Sequence, residues 1–436
     1  MTALPLTLLS FAAILALTRL KAPLWAAIAV GSVALGLFFG VTPAEIVRVA
    51  VAGATKSTSI GLLLVMAFLM ALSESMRQTG RLEQIVELVH SFVRRPAITL
   101  AALPALIGLL PMPGGALFSA PMVRQAAGGN PPDPNLLSAL NYWWRHIWEH
   151  WWPLYPGVIL AMSLTNSSMA AFALYQMPLG IGMAVCGLLI LRPLHPDLHR
   201  TLPAPPAGTA RKLAAAMAPI GCILLVWFAA DLALKTGARL YPGRMEALAP
   251  GTRDFMLRFA PLLLGLLASL TVTLASNPLP ARQVARFFAG RETLPLLGLV
   301  LSVMIYQQML IHVNAAARIG TELTALRVPV ISVVIALPFI AGMLTGIAFG
   351  FVGVSFPLVL SLVAGLPGEP ALRPYMVLAY ASGHLGMMLS PIHLCYVVSN
   401  RYFGAAFAST YRYIALPSLL MAILTGLYVA VLKWLL

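Results

Sequence analysis

The chain has 436 residues, of which 60% are hydrophobic and 9% charged, and its formal net charge is +15. Apolar runs of about 17 to 25 residues recur along it, which excludes a soluble globular protein and predicts a polytopic membrane protein. The basic residues lie at the edges of these runs, so we attribute the positive charge to membrane orientation and not to nucleic-acid binding.

Ten apolar segments are predicted to be transmembrane spans. They lie near residues 3–19, 23–41, 58–75, 135–165, 168–192, 213–235, 256–275, 293–311, 371–400 and 412–435. The first lacks the charged region and the cleavage site of a signal peptide, and a second span follows at once. We therefore expect the first segment to be a transmembrane helix.

Two further apolar segments are broken near their centres by Gly and Pro. The first, residues 98–127, is broken by PMPGG at 111–115, and the second, residues 330–363, is broken around 346–353. Each arm is too short to cross about 30 Å of hydrocarbon. We predict two re-entrant helical hairpins, at about residues 97–127 and 329–363.

Internal similarity indicates two repeats. ALPALIGLL at 102–110 returns as ALPFIAGML at 336–344, SAPMV at 119–123 returns as SFPLV at 355–359, and Tyr142-x3-His146 returns as Tyr380-x3-His384. These pairs keep one order, at offsets that drift only from 234 to 238 (336 − 102 and 380 − 142). The sequence predicts repeats at residues 1–192 and 213–436, joined by a Pro-, Arg- and His-rich linker at 193–212.

The number of spans predicts how the repeats are oriented. Each repeat has five spans, and a re-entrant hairpin returns to the side on which it starts, so the second repeat begins on the opposite side. The expected fold is an all-α polytopic membrane protein with two inverted-topology repeats, each of five transmembrane helices (one discontinuous) plus one re-entrant hairpin. Lys and Arg are more numerous in the loops after the odd-numbered spans, which predicts that these loops are cytoplasmic and both termini lie outside the cytoplasm.

The fourth span contains the most unusual stretch, NYWWRHIWEHWWPLYPG at residues 141–157. At about 100° per residue, its polar residues cover half of a helix circumference and its tryptophans the remainder. One interpretation is an interfacial helix whose tryptophans lie at headgroup depth. We favour a discontinuous membrane helix lining a central cavity, because the equivalent helix around His384 has almost no charge or tryptophan but keeps the tyrosine, the histidine and the proline.

Charged residues in such a cavity indicate an anionic solute. The forked guanidinium of Arg145 suits a carboxylate or related oxyanion, and Glu149, one helical turn further on, would offset its charge; a purely structural ion pair is the alternative. Amides at the hairpin breaks also favour an anion, and free carbonyls there could hold Na⁺. The predicted substrate-binding residues are Asn141, Arg145, His146, Glu149, Pro113, Gly114, Gly115, Ser119, Gly353, Ser355, His384, Ser390 and His393. The predicted ion-coupling residues are Glu149, His146, His150 and His384.

A different class of function is suggested by one motif. His146-Ile-Trp-Glu149-His150 fits the H-x-x-E-H pattern of inverted zinc peptidases. No convincing acidic third ligand follows at membrane depth, so we predict no catalytic residue, no metal site and no cofactor other than Na⁺ as a coupling ion. Cys186, Cys222 and Cys395 lack the spacing of metal ligands, and no disulfide or cysteine metal site is expected.

The repeats, NYWWRHIWEHWWPLYPG and SPIHLCYVVSN at 390–400 together resemble, over nearly the whole chain, the prokaryotic membrane family called domain of unknown function 401. That family is grouped with the ion transporter superfamily of carboxylate and gluconate carriers. The resemblance implies a homodimeric, lipid-embedded carrier in the inner membrane. It also implies a scaffold part and a mobile part, the latter containing the hairpins and broken helices and moving substrate by an elevator-like shift. Carboxylate carriers of the superfamily often have Ser-Asn-Thr at the hairpin tips, where this chain has Met-Pro-Gly-Gly and Gly-Phe-Val-Gly.

We therefore expect a secondary active transporter, not an enzyme, that moves a small organic anion together with H⁺ or Na⁺. A cation/proton antiporter that uses Glu149, Glu74 and the histidines is the nearest alternative. A membrane-embedded zinc hydrolase that uses His146, Glu149 and His150 is the alternative from a different class.

Overall fold

The computed structural model describes residues 3–93, 95–109, 115–128, 131–194, 205–326, 329–364 and 371–435. These residues form twenty-two helices and no strand. The first half contains α1 (Ala3–Arg19), α2 (Leu24–Phe38), α3 (Pro43–Thr55), α4 (Ser57–Gln78), α5 (Arg81–Phe92), α6 (Pro96–Ile107), α7 (Ala116–Ala126), α8 (Pro134–Arg145), α9 (Pro156–Leu164) and α10 (Met169–Leu191).

The second half contains α11 (Thr209–Leu240), α12 (Pro242–Glu246), α13 (Pro250–Arg258), α14 (Ala260–Ser276), α15 (Ala281–Phe287), α16 (Thr293–His312), α17 (Ala315–Leu326), α18 (Val330–Thr345), α19 (Ala348–Ala364), α20 (Leu372–Met388), α21 (Leu394–Phe403) and α22 (Phe407–Leu435). The predicted linker lies partly outside the described residues, at 195–204.

Helix length and composition agree with a polytopic membrane protein. Within the described residues, α4, α10, α11, α16 and α22 are each long and apolar enough to cross a membrane, and α13 with α14, bent by 47°, forms a sixth candidate. Helices α1 and α2, with 17 and 15 residues, are apolar but near or below the lower limit for a span. The predicted all-α polytopic class is confirmed.

Both predicted hairpins are helix pairs, and in each the two arms pack against one another: α6 with α7, and α18 with α19. The break in the second hairpin is shorter than predicted. It consists of Gly346, at a left-handed φ of 64°, and Ile347. Gly353 and Ser355 therefore lie inside α19 and not at the tip, because the chain needs only one left-handed residue to reverse direction here.

The break in the fourth span is longer than predicted and begins earlier. Helix α8 ends at Arg145, residues 146–155 form turns, and α9 begins at Pro156. The expected amphipathic helix through residue 152 is therefore wrong, and Arg145 and Glu149 are not one helical turn apart. From residue 146 onward most of the backbone bonds join residues three apart, such as Glu149 N–H to the His146 carbonyl at 3.1 Å. Further along, Pro153 and Pro156 lack the N–H groups that a continued helix would need at those positions.

Glycines bring α18 and α20 into close contact. A Cβ added at Gly342 would overlap the carbonyl oxygen of Gly383, and one added at Gly386 would overlap the carbonyl oxygen of Phe339. Small residues at such a contact allow two membrane helices to pack backbone against backbone. This contact joins the first arm of the second hairpin to the broken helix that follows it.

We predict that Gly342→Ala and Gly386→Ala each lower the midpoint of thermal unfolding in detergent. The added methyl group meets a backbone carbonyl that cannot rotate away, and such overpacking costs about 1–3 kcal/mol. Gly221→Ala in α11 and Gly426→Ala in α22 are matched controls, since nothing lies within 4 Å of a Cβ at either position. Alanine is the better helix former, so the controls should match or exceed the wild type. Equal midpoints for all four variants would contradict the close helix contact.

Candidate functional site

The aromatic side chains in the fourth-span break bind the end of the first hairpin arm. Carbonyls at the C-terminal end of a helix have no partner within the helix, and inside a membrane the protein has to supply one. Two indole N–H groups and one hydroxyl donate to carbonyls in the last turn of α6 and in the two residues that follow it. The pairs are Trp148 with Ala105 (2.7 Å), Trp152 with Leu109 (3.0 Å) and Tyr155 with Gly108.

Two further tryptophans of this stretch lie inside the protein. Trp143 and Trp144 are buried, and the Trp143 indole donates to the Met183 carbonyl at 3.0 Å. These contacts do not fit an interfacial helix with its tryptophans at headgroup depth. The tryptophans instead connect the broken helix to the first hairpin and to α10 through hydrogen bonds.

Two tyrosines that the repeats place in equivalent positions make reciprocal contacts. The Tyr142 hydroxyl, on α8, donates to the Met388 carbonyl at the end of α20, at 3.1 Å. The Tyr380 hydroxyl, on α20, donates to the Glu149 carbonyl in the break after α8, at 2.8 Å. Each broken helix therefore satisfies a carbonyl at the break of the other, and the two breaks are held side by side.

The second hairpin is joined to its broken helix in a similar way. The Ser390 hydroxyl, in the break between α20 and α21, donates to the Met343 carbonyl near the end of α18 at 2.7 Å. A Cβ at Gly346 would lie 3.0 Å from both N and Cα of His393. The tip of this hairpin thus rests directly on the backbone of the second break.

The first hairpin contacts the end of α8. The Asn141 amide donates to the Ala116 carbonyl at 3.2 Å and to the Ser399 hydroxyl at 2.8 Å, and a Cβ at Gly115 would overlap the Arg145 guanidinium. Pro113 and Gly114, also predicted at this tip, lie outside the described residues. The described end of the tip therefore packs against the buried arginine.

A cavity of about 160 Å³ lies where the two breaks and the second hairpin meet. Arg145, which is only 2% exposed, and Glu149, 8% exposed, contribute the charge from the first break. The lining includes Arg145, Glu149, Tyr155, Gly157, Gly346, Ala348, Phe349, His393, Leu394 and Cys395, with Met70 and Glu292 at one end. An apolar cavity that contains a few charged groups is the usual form of a small-molecule site.

Histidine and cysteine side chains form a compact group at the wall of this cavity. The Nε2 atoms of His146 and His393 are 3.1 Å apart, and the Cys395 thiol lies within 4.8 Å of both. One Glu149 carboxylate oxygen is 3.9 Å from Nε2 of His146. Among the described residues, this is the group whose donor atoms are close enough to hold a metal ion together.

Of the predicted site residues, Arg145, Glu149 and His393 line the cavity. Besides Asn141, Gly115, His146 and Ser390, whose contacts are given above, five more are not part of its lining. His150 and His384 stack with ring centroids 4.0 Å apart and line a separate void of about 20 Å³. The hydroxyl of Ser355 donates within its own helix, as does that of Ser119. A Cβ at Gly353 would lie 2.6 Å from Val303, so this glycine allows α19 to approach α16.

A larger, basic vestibule of about 740 Å³ adjoins the cavity. Most of its charged side chains are exposed. They are four arginines and two glutamates: Arg77, Arg282, Arg286, Arg291, Glu74 and Glu292. Met70 and Glu292 line both spaces, so they stand between the vestibule and the cavity. Burial and the nearby Glu74 carboxylate raise the pKa of Glu292.

Sequence reasoning missed Cys395 and the arginines of the vestibule as parts of the site. The basic segment 281–292, directly after the seventh predicted span, was the available signal for the vestibule. The position of this segment beside a span indicates membrane orientation. It does not indicate contact with Arg77, which lies far away along the chain. Within the vestibule, the Arg77 guanidinium donates to the Glu74 carboxylate with Nε to Oε2 at 2.8 Å.

Comparison with solved structures finds the Alcanivorax borkumensis YdaH transporter, whose structure is described as having an unusual topology. The TM-score is 0.53 at 13% sequence identity, with 88% of this chain and 87% of that chain covered. This similarity shows a shared fold. No curated protein matches the sequence.

The family described as protein of unknown function (DUF401) matches residues 3–201 and 253–432. The chain belongs to the DUF401 family.

Proposed function

We propose that this protein is a secondary active transporter of a small organic anion. The observation that carries the proposal is the buried Arg145 guanidinium at the cavity where both broken helices meet. Arginine keeps its charge at any physiological pH. A charge at membrane depth is costly, and the charged residues found there commonly serve binding or transport. A carboxylate, phosphonate or sulfonate in the cavity would offset that charge.

The cavity limits the size and the polarity of the solute. Sites for drug-sized molecules have volumes of about 300–1,000 Å³, and this cavity is about 160 Å³. Apolar groups such as Phe349, Leu394 and Tyr155 form much of its wall. A solute with one anionic group and a short apolar body matches this environment best.

The vestibule provides the proposed entry route. Its four arginines outnumber its two glutamates, which raises the local concentration of anions at the mouth of the cavity. Arg77 follows the third predicted span and Arg282 the seventh, and the positive-inside rule assigns both loops to the cytoplasm. Their meeting in one vestibule supports a location on the same side of the membrane, and under the positive-inside rule a vestibule on that side is open to the cytoplasm.

An elevator-type movement is the proposed mechanism. The contacts from Trp148 and Trp152 to α6, and from Ser390 to α18, join each hairpin to a broken helix. The two broken helices are joined by Tyr142 and Tyr380. These four elements would move as one body and carry the cavity across the membrane. Coupling to H⁺ or Na⁺, predicted from sequence, is retained as part of the proposal.

The two alternative functions make different demands on the same residues. A cation/proton antiporter would bind its ion at Glu149, but Arg145 shares that cavity and already offsets the charge of the carboxylate that would hold a monovalent cation. A zinc hydrolase would need His146 and His150 on one metal, whereas His150 stacks on His384 and His146 contacts His393. The surroundings of Arg145 therefore favour the anion transporter.

We predict that Arg145 is required for solute binding. A panel of small carboxylates, phosphonates and sulfonates, tested with and without Na⁺, should contain anions that raise the melting temperature of the wild type. A ligand at 100 times its Kd stabilises the native state by about 2.7 kcal/mol. Arg145→Gln should lose this shift and Arg145→Lys should retain part of it, since lysine keeps the charge but not the forked geometry.

Arg373→Gln, at an exposed position on α20, is the matched control and should keep the full shift. Circular dichroism and size-exclusion chromatography establish whether each variant is folded. A folded Arg145→Gln protein with an unchanged ligand shift would remove Arg145 from the binding site.

We predict that Glu292→Gln speeds uptake of the anion found in that panel into proteoliposomes. Glu292 stands between vestibule and cavity, and its charge repels an incoming anion. The repulsion between two like unit charges about 4 Å apart in water is about 1 kcal/mol, so its removal should raise the uptake rate by up to about fivefold. This gain should shrink as salt is added. Glu246→Gln, on α12, is the control. A Glu292→Gln protein that slows uptake of the anion would argue against this entry route, and one that instead slows Na⁺/H⁺ exchange would support the antiporter.

A further inference from the structure

We infer that His146, His393 and Cys395 form a binding site for a transition-metal ion, with Zn²⁺ the best match. His146 and His393 come from the two breaks and Cys395 from the first turn of α21, and the three residues are 0%, 5% and 7% exposed. This inference rests on the side-chain group alone and does not require the proposed transport function.

Hydrogen bonding fixes the tautomer of His146. Its Nδ1 atom lies 2.6 Å from the Tyr142 carbonyl oxygen. A carbonyl oxygen can only accept, so Nδ1 carries the hydrogen. In the neutral ring, Nε2 then has a free lone pair.

His393 is held in the same way. Its Nδ1 atom lies 3.3 Å from the Met387 carbonyl oxygen, a contact that suits the tautomer with the hydrogen on Nδ1 and the lone pair on Nε2. The two Nε2 atoms face each other at 3.1 Å. Two lone pairs at this distance repel unless a cation lies between them, and that cation is either one shared proton or a metal ion.

Cys395 favours the metal ion. Its thiol supplies a third donor atom, and all three donor atoms lie within 4.8 Å of one another. In a tetrahedral zinc site with Zn–N distances of about 2.0–2.1 Å, two nitrogen ligands are separated by about 3.3–3.4 Å, which is close to the distance found here. Imidazole with thiolate is a donor set that suits Zn²⁺ and Cu⁺, and not Mg²⁺ or Ca²⁺.

The surroundings also have the features of a metal site. Metal-binding histidines usually donate their second N–H to a carboxylate or a backbone carbonyl, as both histidines do here. The Glu149 carboxylate and a Cys395 thiolate would together balance the charge of a divalent ion beside Arg145. Glu149, with one oxygen 3.9 Å from Nε2 of His146, lies next to the fourth ligand position.

The test is direct metal binding by the purified full-length protein. After treatment with a chelator, Zn²⁺ is titrated in competition with a chromophoric chelator, and bound zinc is measured by elemental analysis. We expect one tightly bound Zn²⁺ per chain. Co²⁺, used as a spectroscopic substitute, should give a thiolate-to-cobalt charge-transfer band.

Cys395→Ser and His393→Gln should each weaken Zn²⁺ binding by at least about 100-fold, because loss of a group that only hydrogen-bonds to a metal ligand already costs about 10- to 100-fold. Cys395→Ser should also remove the cobalt band. Cys186→Ser, at a buried cysteine elsewhere, and His312→Gln, at a partly exposed histidine, are matched controls that should bind like the wild type.

Two results would overturn the inference. One is the absence of tight zinc binding by the wild type, which would leave a shared proton between the two histidines. The other is unchanged zinc affinity and an unchanged cobalt band in folded Cys395→Ser protein, which would place the metal elsewhere. Because Cys395→Ser changes one atom, it tests the site even if His393→Gln does not fold.

Discussion

The structure depends on one constraint: a helix that stops inside a membrane leaves backbone carbonyls that only the protein can satisfy. Here the partners are aromatic side chains and one serine. Trp148, Trp152 and Tyr155 donate to the end of α6, and Ser390 donates to the end of α18. Because each donor lies within a break of another helix, satisfying these carbonyls also determines how the broken elements assemble.

That assembly places charge at the centre of the protein. The reciprocal bonds of Tyr142 and Tyr380 hold the two breaks together, and the chain next to each tyrosine carries the polar groups of the cavity. Arg145 and Glu149 come from one break and His393 from the other. In a region of low dielectric constant these charges interact strongly with one another and with any bound ion. An anion beside Arg145 and a metal ion between His146 and His393 would occupy neighbouring positions that are electrostatically compatible.

Electrostatics also connects the cavity to its surroundings. The vestibule collects arginines from the end of α4 and from the segment before α16, and these segments are separated by about 200 residues in the sequence. Glu292 is an acidic group at the boundary between the basic vestibule and the cavity, with a raised pKa. A basic entrance, one acidic residue and a buried arginine form a charge sequence along the proposed route of an anion.

Sequence alone determined the membrane class, the helical segments and the two hairpins, because apolar length and Gly/Pro breaks are local properties that a bilayer makes decisive. It also identified Arg145, Glu149 and His393, since charged or polar residues in an apolar chain are conspicuous. Only the tertiary structure decided which residues meet. The helical period placed Glu149 on the same face as Arg145, but α8 ends at Arg145 and turns follow it. His146 faces His393 and Cys395 rather than its repeat equivalent, because contacts between the breaks, and not sequence spacing, set the distances among side chains about 250 residues apart.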